Sequence, residues 1–361
     1  MSKKLNIDPI NNWINKDTDP LIISGPCSAE TYDQLFETCK QLKSHGITLM
    51  RAGVWKPRTR PGTFEGNGEE ALKWISDIKK ELDVQFAVEV ANTNHIDLSL
   101  KYGIDILWIG ARTTVNPFSV QEIADAVKGT DTPILVKNPI NPDLSLWMGA
   151  LERINKAGIT KLGAIHRGFS MTGSSKYRYV PLWKIAIDLK SNLPNLPVIC
   201  DPSHICGNRD MIFETSQKAL DLGYDGLIIE SHIDPDNAWS DAKQQVTPTR
   251  LVEIMKDLKI RKITDHEKAF QQSLQQLRSQ IDMLDQSLLD SLGKRMKISD
   301  EIGKLKKDNN VAVLQNKRWN EILGRMILEG EDRNLGKEFV IKLFKAIHQE
   351  SINHQEKILN A

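Results

Sequence analysis

The chain has 361 residues, of which 40% are apolar, and a formal net charge of +1. This length allows one large domain and a smaller one, and the near-neutral charge gives no indication of a nucleic-acid partner. No apolar run approaches the roughly 20 residues of a membrane span, and the stretch MSKKLNIDPINNW lacks the apolar core of a signal peptide. We therefore expect a cytoplasmic protein without a membrane partner, whose four cysteines are free thiols or metal ligands.

Two regions of different composition meet near Lys259, because all 15 prolines lie at or before Pro248. The first region contains eight short apolar runs, most of them separated by amphipathic helical stretches: LIISGPC, ITLMRAG, VQFAVEV, ILWIG, PILVKNP, LGAIHRG, PVICDPSH and GLIIES. This alternation is typical of parallel strands with crossover helices. Eight such units predict a closed (β/α)8 TIM barrel of about 250 residues. An open doubly wound sheet is the alternative, but no GxGxxG or GxxxxGK[ST] follows an early strand.

The second region has the pattern of three helices. Apolar residues alternate in steps of three and four along the first, at Leu274, Leu277, Ile281, Leu284, Leu288 and Leu292. Three helices with so long a first member cannot easily bury this apolar row alone, so we expect the domain to self-associate. The predicted division is a barrel domain over 1–258, a linker over 259–268 and an all-α three-helix domain over 269–361.

Four potential metal ligands follow the apolar runs. Cys27 ends the first run, His204 the seventh and Glu230 the eighth, and Asp241 lies in the loop after it. Strand ends meet on one face of a barrel, so these residues can share a site. A thiolate, an imidazole and two carboxylates suit Mn²⁺, Fe²⁺, Zn²⁺ or Co²⁺ better than Mg²⁺. A core thiol or an ordinary turn is the alternative for any one residue, but their joint placement favours a divalent metal site.

Cations occupy the same end of the predicted barrel. In chain order they are Arg51, Lys56, Arg58, Arg112, Lys137 and Arg167. Positive charges beside apolar strand ends are costly to bury without anionic partners. We therefore expect an anionic substrate with more than one phosphate or carboxylate, although a scattered surface charge is the alternative for any single residue.

These motifs resemble those of the 3-deoxy-D-arabino-heptulosonate 7-phosphate (DAHP) synthases, in particular the compact type I beta group. GPCSAE, RAGVWKPRT, IGAR, LVKNP and CDPSH stand in that family's order. The sister family, 3-deoxy-D-manno-octulosonate 8-phosphate synthase, shares the fold and the phosphoenolpyruvate chemistry. It typically has KANR where this chain has Lys56, Pro57, Arg58 and Thr59, so this position favours a DAHP synthase.

The resemblance implies a condensation of phosphoenolpyruvate with erythrose 4-phosphate that releases phosphate, the first step of the shikimate pathway. It implies that the metal, with Mn²⁺ the first expectation, polarises the aldehyde oxygen as a Lewis acid. Phosphoenolpyruvate would be held by Arg51, Lys56, Arg112, Lys137 and Arg167. The sugar phosphate would be held by the segment Pro57, Arg58 and Thr59. The expected catalytic residues are Lys56 and Glu89, of which Glu89 would position the attacking water.

Two cations on the first long helix are spaced for a small dianion. Arg295 and Lys306 lie on one face, about 16 Å apart along the helix axis. Arg278 would lie about 25 Å from Arg295 and on another face of a straight helix. It can serve the same site only if another chain supplies it.

The region from Leu277 to Leu359 resembles the all-helical chorismate mutases. The positions that contact the ligand in that family are here Arg278, Arg295, Lys306, Arg318, Ser351 and Gln355. The resemblance implies rearrangement of chorismate to prephenate, with Lys306 and Gln355 as the catalytic residues that stabilise charge on the breaking ether oxygen. Gln315 and Trp319 stand where acidic side chains usually contact the substrate hydroxyl.

Two noncatalytic interpretations of the helical domain stay open at this point. It could be a coiled-coil dimerisation element, or a module that binds a pathway intermediate without converting it. Only about twenty residues precede PLIISGPC, too few for a separate regulatory domain there. We therefore expect the helical domain to give feedback inhibition of the barrel by prephenate or chorismate.

Overall fold

Eight parallel strands form a closed barrel in which neighbours in sequence are neighbours in the sheet, and the eighth strand pairs with the first. The computed structural model describes residues 5–14, 18–56, 62–261, 268–314 and 316–360, with the backbone alone for 268–272, 316 and 317. The strands are β1 Leu21–Gly25, β2 Leu49–Arg51, β3 Gln85–Val90, β4 Ile106–Ile109, β5 Ile134–Lys137, β6 Leu162–His166, β7 Val198–Cys200 and β8 Gly226–Glu230. Each of the eight apolar runs contains one strand, so the predicted TIM barrel is confirmed.

Helices follow the strands and cover the outside of the barrel. They are α1 Tyr32–Ser44, α2 Glu69–Leu82, α3 Thr93–Lys101, α4 Ala111–Thr114, α5 Pro117–Val127, α6 Leu144–Lys156, α7 Trp183–Asn192, α8 Pro202–Cys206, α9 Ile212–Asp221 and α10 Pro248–Asp257. Local capping fixes where many of them begin: the side chain of Asp143, for example, accepts a hydrogen bond from the Leu146 amide at the start of α6.

Side chains of the strands alternate between two apolar layers. Ile23, Trp108 and Ile228 belong to an inner cluster that fills the barrel, whereas Ile22 and Val88 belong to the larger cluster beneath the helices. The interior is therefore packed with side chains rather than open. The strand ends remain as the place where polar side chains can surround a ligand.

A glycine allows β1 and β2 to end close together. Gly25 has φ +146, a conformation that L side chains rarely adopt, and a Cβ there would lie 2.1 Å from the carbonyl oxygen of Arg51. This close approach brings the loop that begins at Pro26 next to the end of β2. Cys27 and Arg51 are thus held at the same corner of the barrel mouth.

The second compact unit is all-helical. The chain divides into Met1–Ile263 and Thr264–Ala361, and the second part contains α11 Lys268–Asp308, α12 Asn316–Glu331 and α13 Lys337–Asn360. These three helices occur where the sequence predicts them, with α13 packed against both α11 and α12. The boundaries of the predicted linker, 259–268, stay a prediction, because residues 262–267 lie outside the described part of the chain.

One side of α11 leaves large apolar side chains uncovered. Leu277, Ile281, Leu284 and Leu288 are each more than half exposed, although they are spaced for one helix face. None of the described helices combines the length and apolarity that a bilayer span requires.

Candidate active sites in the barrel and the helical unit

A cavity of about 210 Å³ opens at the C-terminal end of the barrel. Its wall combines strand ends with the loops that follow them, as the sequence analysis anticipates for this face. The predicted site residues that line it are Arg51, Lys56, Glu89, Arg112, Lys137, Arg167, His204 and Asp241. Pro57, Arg58 and Thr59, predicted to hold the sugar phosphate, lie outside the described residues.

Three of the four predicted metal ligands converge at one edge of this cavity. One ligand atom each from Cys27, Glu230 and Asp241 lies within 4.8 Å of the other two. The fourth, His204, is adjacent, with Nε2 at 3.8 Å from Glu230 Oε1. Asp241 adopts the left-handed region at φ +47, which aspartate enters more readily than most residues other than glycine.

Two observations show that this group fits a divalent metal ion. Glu230 Oε1 is buried, forms an ion pair with Arg51 at 3.1 Å and accepts no hydrogen bond within the described part of the chain, so it can also coordinate a cation. His204 Nδ1 lies 2.9 Å from Asp201 Oδ1, an arrangement that directs Nε2 toward Glu230. Burial lowers the pKa of His204 and outweighs the nearby carboxylates, which favours the neutral imidazole that a metal requires.

The Cys27 thiol is held beside an ammonium group. Lys56 Nζ lies 2.9 Å from Cys27 Sγ and also donates to the Cys27 carbonyl oxygen at 2.9 Å. Burial, followed by the charge of Glu230, raises the pKa of the thiol to about 12. The thiolate therefore forms at neutral pH only when an added positive charge, such as a bound metal ion, stabilises it.

Two of the predicted cations are buried and paired with carboxylates. Arg51 lies 3.1 Å from Glu230 and Lys137 lies 3.1 Å from Asp201. Arg51 Nε and Nη1 have no hydrogen-bond partner among the residues described. Unused donors on a buried guanidinium are costly unless a ligand supplies acceptors.

Arg167 has a different environment from the other cations. It is 6% exposed and forms no ion pair with a carboxylate within the described ranges, and its Nη1 lacks a hydrogen-bond partner there. The guanidinium lies 3.5 Å from the ring centroid of Tyr179. A buried cation without a carboxylate partner indicates a site for an anionic ligand group.

Three polar contacts link Arg178 and Gln244 to each other and to the carboxylates of Asp241 and Glu230, and no sequence motif marks them. Arg178 Nη1 lies 3.0 Å from Asp241 Oδ1 and donates to Gln244 Oε1 at 2.7 Å, and Gln244 Nε2 donates to Glu230 Oε2 at 2.7 Å. Arg178 belongs to the long loop between β6 and α7, and no motif signals that this loop folds back over the barrel. Asp201 was also missed, although its place in CDPSH directly before His204 is a usable signal.

Glu89 extends from β3 into the cavity. Its Oε2 accepts a hydrogen bond from the Trp108 indole at 2.8 Å, and a Cβ at Gly110 would lie 2.3 Å from Oε1. Gly110, the glycine of the IGAR motif, therefore leaves room for the Glu89 carboxylate, which a larger side chain would displace. Arg112, which follows two residues later, is exposed on the cavity wall.

In the helical unit, α11 and α13 bring four predicted site residues together in two pairs. Arg295 Nη1 donates to Ser351 Oγ, and Lys306 Nζ donates to Gln355 Oε1 at 3.0 Å. The pairs are close because Gly303, between the two cations, packs against the backbone of α13. Both pairs therefore join α11 to α13 through a cation of α11 and a polar side chain of α13.

Two other predicted contacts of this site, Arg318 and Arg278, are exposed to solvent in the single chain. Arg318 is exposed and lies 3.8 Å from Glu321 of its own helix. Arg278 is an exposed residue of α11. Gln315 lies outside the described residues, whereas Trp319 stacks on His348 with ring centroids 4.0 Å apart. No sequence motif marks this histidine.

Comparison with known proteins identifies both parts of the chain. Residues 5–264 match the family model of the DAHP synthetase I family, and residues 277–356 match that of chorismate mutase type II. A phospho-2-dehydro-3-deoxyheptonate aldolase of Thermotoga maritima is 30% identical over 238 residues, which make up 66% of this chain and 68% of that protein. A 2-dehydro-3-deoxyphosphooctonate aldolase of Brucella ovis is 26% identical over 270 residues, covering 69% of this chain and 93% of that protein.

A solved structure agrees with these matches. The crystal structure of the phospho-2-dehydro-3-deoxyheptonate aldolase (DAHP synthase) from Thermotoga maritima has 28% sequence identity and a TM-score of 0.60, and the match covers 65% of this chain and 67% of that one. The first family match spans well over half of the chain and the second spans the helical unit. The chain therefore belongs to the DAHP synthetase I family and carries a C-terminal domain of the chorismate mutase type II family.

Proposed function

We propose that the barrel condenses phosphoenolpyruvate with erythrose 4-phosphate to DAHP and phosphate, and that the helical domain rearranges chorismate to prephenate. For the barrel, the observation that carries the proposal is Arg167, a buried cation without a carboxylate partner in the described chain, which lines the same cavity as the potential metal ligands His204 and Asp241. For the helical domain, it is the pairing of Arg295 with Ser351 and of Lys306 with Gln355.

In this proposal, different cations bind the phosphate and the carboxylate of phosphoenolpyruvate. Arg167 and Arg112 hold the phosphate of phosphoenolpyruvate, and Arg51, Lys56 and Lys137 hold its carboxylate end. Guanidinium groups suit these roles because they donate two parallel hydrogen bonds to a carboxylate or phosphate. The ligand would supply acceptors to donors on Arg51 and Arg167 that have none in the described chain.

The remaining residues orient the partner substrate and water. We assign the phosphate of erythrose 4-phosphate to the segment Pro57, Arg58 and Thr59. Glu89 holds the water that adds to the former enol carbon, and Trp108 fixes the carboxylate by donating its indole hydrogen. Lys56, which reaches the Cys27 thiol, stabilises negative charge near the reacting carbonyl.

We propose Mn²⁺ as the bound metal, with Fe²⁺, Co²⁺ and Zn²⁺ as alternatives, held by Cys27, His204, Glu230 and Asp241. The mixed sulfur, nitrogen and oxygen donor set favours such ions over Mg²⁺. When bound, the ion supplies a Lewis acid for the aldehyde oxygen of the sugar. Arg51 and Gln244 hold the Glu230 carboxylate in place, and Arg178 holds that of Asp241.

For the helical site, Arg295 would hold a carboxylate of chorismate, while Lys306 and Gln355 would stabilise charge on the ether oxygen as the bond breaks. Ser351 orients Arg295. Arg278 would come from a partner chain, and we propose a homodimer in which the exposed apolar row of α11 is covered. Light scattering of the purified protein tests this assembly: a monomer at micromolar concentration would contradict it.

We also propose that prephenate or chorismate bound in the helical domain inhibits the barrel. The support is chemical: these compounds lie downstream of DAHP, and a coupling free energy of roughly 1–3 kcal/mol would give useful inhibition. Condensation rates measured with and without saturating prephenate test the proposal. Unchanged rates would contradict it.

A substrate comparison tests the condensation itself. Purified protein with added Mn²⁺ receives phosphoenolpyruvate and either erythrose 4-phosphate or arabinose 5-phosphate, the five-carbon substrate of the sister family. We expect phosphate release and phosphoenolpyruvate loss with the four-carbon sugar. Preference for the five-carbon sugar would assign the barrel to the octulosonate reaction instead.

A further inference from the structure

His348 lies in the helical site but has no role in the function proposed above. It is on α13, three residues before Ser351 and seven before Gln355, so the three side chains occur on one face of that helix. The partners of the other two are Arg295 and Lys306 of α11. The histidine therefore extends the row of polar side chains that the two cations already contact.

The ring of His348 is held in place from α12. Trp319 stacks on it with centroids 4.0 Å apart and an angle of 8° between the planes. Such a face-to-face contact over a large ring restricts the rotation of the imidazole. The plane of the imidazole is thus set by packing against Trp319.

One nitrogen of this ring is enclosed and unused. His348 Nε2 is buried and has no hydrogen-bond partner among the described residues. Buried polar atoms are nearly always paired in folded proteins, and an unpaired one lowers stability unless a ligand or water completes it. His348 Nε2 is therefore available to hydrogen-bond a ligand, in addition to the polar atoms of the predicted contacts.

The charge state of the ring indicates what it can bind. Burial and the positive charges of Arg295 and Lys306 lower the pKa of His348, so the imidazole is neutral near pH 7. A neutral imidazole offers one donor and one acceptor but no charge. The two cations suit the carboxylates of a dianion, whereas the histidine suits an uncharged oxygen.

We propose that His348 contacts the substrate of the helical domain through Nε2 and hydrogen-bonds the ring hydroxyl of chorismate and of prephenate. Trp319 is the positioning residue that orients the imidazole for this contact. The inference rests on the proposed mutase activity and adds to it a determinant of substrate recognition. The reaction itself needs no proton from the histidine, because the rearrangement is intramolecular.

The test compares full-length parent with His348→Leu and His348→Gln. Leucine keeps an apolar contact with Trp319 but cannot hydrogen-bond, whereas glutamine returns a polar group near the place of Nε2. We expect kcat/KM for chorismate to fall about tenfold in His348→Leu, with prephenate inhibition of the mutase weakened by a similar factor. In His348→Gln, most of the kcat/KM and most of the prephenate inhibition should be recovered. A purely structural role of His348 would not predict this recovery.

His354→Asn is the matched control, because this histidine of the same helix contacts Asp300 at 2.8 Å instead of the site. Circular dichroism checks the folding of each variant, and His348→Phe replaces the leucine variant if that one unfolds. Equal kcat/KM and equal prephenate inhibition in the parent and the apolar variant would overturn the assignment and leave the mutase activity standing. A folded parent that neither converts chorismate nor binds prephenate would overturn both.

Discussion

Asp201 Oδ1 lies 2.9 Å from the Nδ1 atom of His204 and thereby leaves Nε2 as the ring nitrogen available to a metal ion. Burial alone would raise the pKa of Asp201, but its interaction and hydrogen bond with His204, together with the charge of Lys137, hold it well below its usual range. The aspartate therefore stays ionised and keeps its hold on the histidine. It is a positioning residue of the proposed metal site.

Asp201→Asn should weaken metal binding while leaving the barrel folded. Asparagine keeps the size of the side chain but loses the charge that fixes the ring, and loss of such a partner typically costs 10–100-fold in metal affinity. Titration of the metal-free variant with Mn²⁺, followed by calorimetry, measures the change. Affinity equal to that of the parent would remove Asp201 from this role.

Arg167→Met should raise the KM for phosphoenolpyruvate by roughly tenfold to a hundredfold, the effect of losing charged hydrogen bonds. Methionine can keep packing against Tyr179, and no carboxylate of the described chain loses its ion pair. The KM for erythrose 4-phosphate should change less. Arg250→Met, at an exposed position of α10 paired with Glu253, is the control and should match the parent.

Lys306→Ala should abolish most of the mutase activity without affecting metal binding by the barrel. The ammonium group contacts Gln355 in the helical site, so its removal takes away the proposed stabilisation of the ether oxygen. Chorismate loss and Mn²⁺ affinity are measured on the same preparation. Lys304→Ala, an exposed neighbour on α11, should retain both properties; full mutase activity in Lys306→Ala would exclude the proposed role.

His166 should make the stability of the barrel depend on pH. Burial lowers its pKa to about 4, whereas the unfolded chain has the usual value near 6.5. Between these values the unfolded state binds a proton that the folded state does not, so the free energy of unfolding falls as pH decreases through this window.

The full contribution is roughly 3 kcal/mol for a shift of this size. His166→Phe, which keeps an aromatic ring among Trp183 and Phe169, should show a smaller loss of stability between pH 6.5 and pH 4. Urea unfolding at several pH values measures the difference. Parallel curves for parent and variant would show that this histidine is not the cause.

The barrel could be predicted from sequence because each strand is a short apolar run followed by polar residues. A parallel strand buried on both faces requires this pattern, and ILWIG and PILVKNP show it clearly. The gathering of Cys27 with Glu230 and Asp241 follows from the same topology, since the ends of β1 and β8 are neighbours in a closed barrel. Closure of the barrel thus explains both the fold and the close approach of these three residues.

The contacts that the sequence did not reveal depend on loops and on packing between helices. Arg178 reaches Asp241 only because the loop between β6 and α7 folds back, with Phe169 bridged to Val180. His348 meets Trp319 because α12 and α13 pack together. Neither contact could be predicted from a sequence motif. Each joins two residues from different segments of the chain, and neither residue stands out within its own segment.

A single preparation assayed for both reactions, with and without a chelator, tests the central claim that one chain carries two active sites, of which only the barrel site requires a metal ion. Phosphoenolpyruvate loss with erythrose 4-phosphate should disappear in the presence of the chelator and return on addition of Mn²⁺. Chorismate loss should be unchanged, because the helical site is built from Arg295, Lys306, Ser351 and Gln355 rather than from metal ligands. Condensation that persists after complete metal removal, or loss of chorismate turnover with the chelator, would contradict the account.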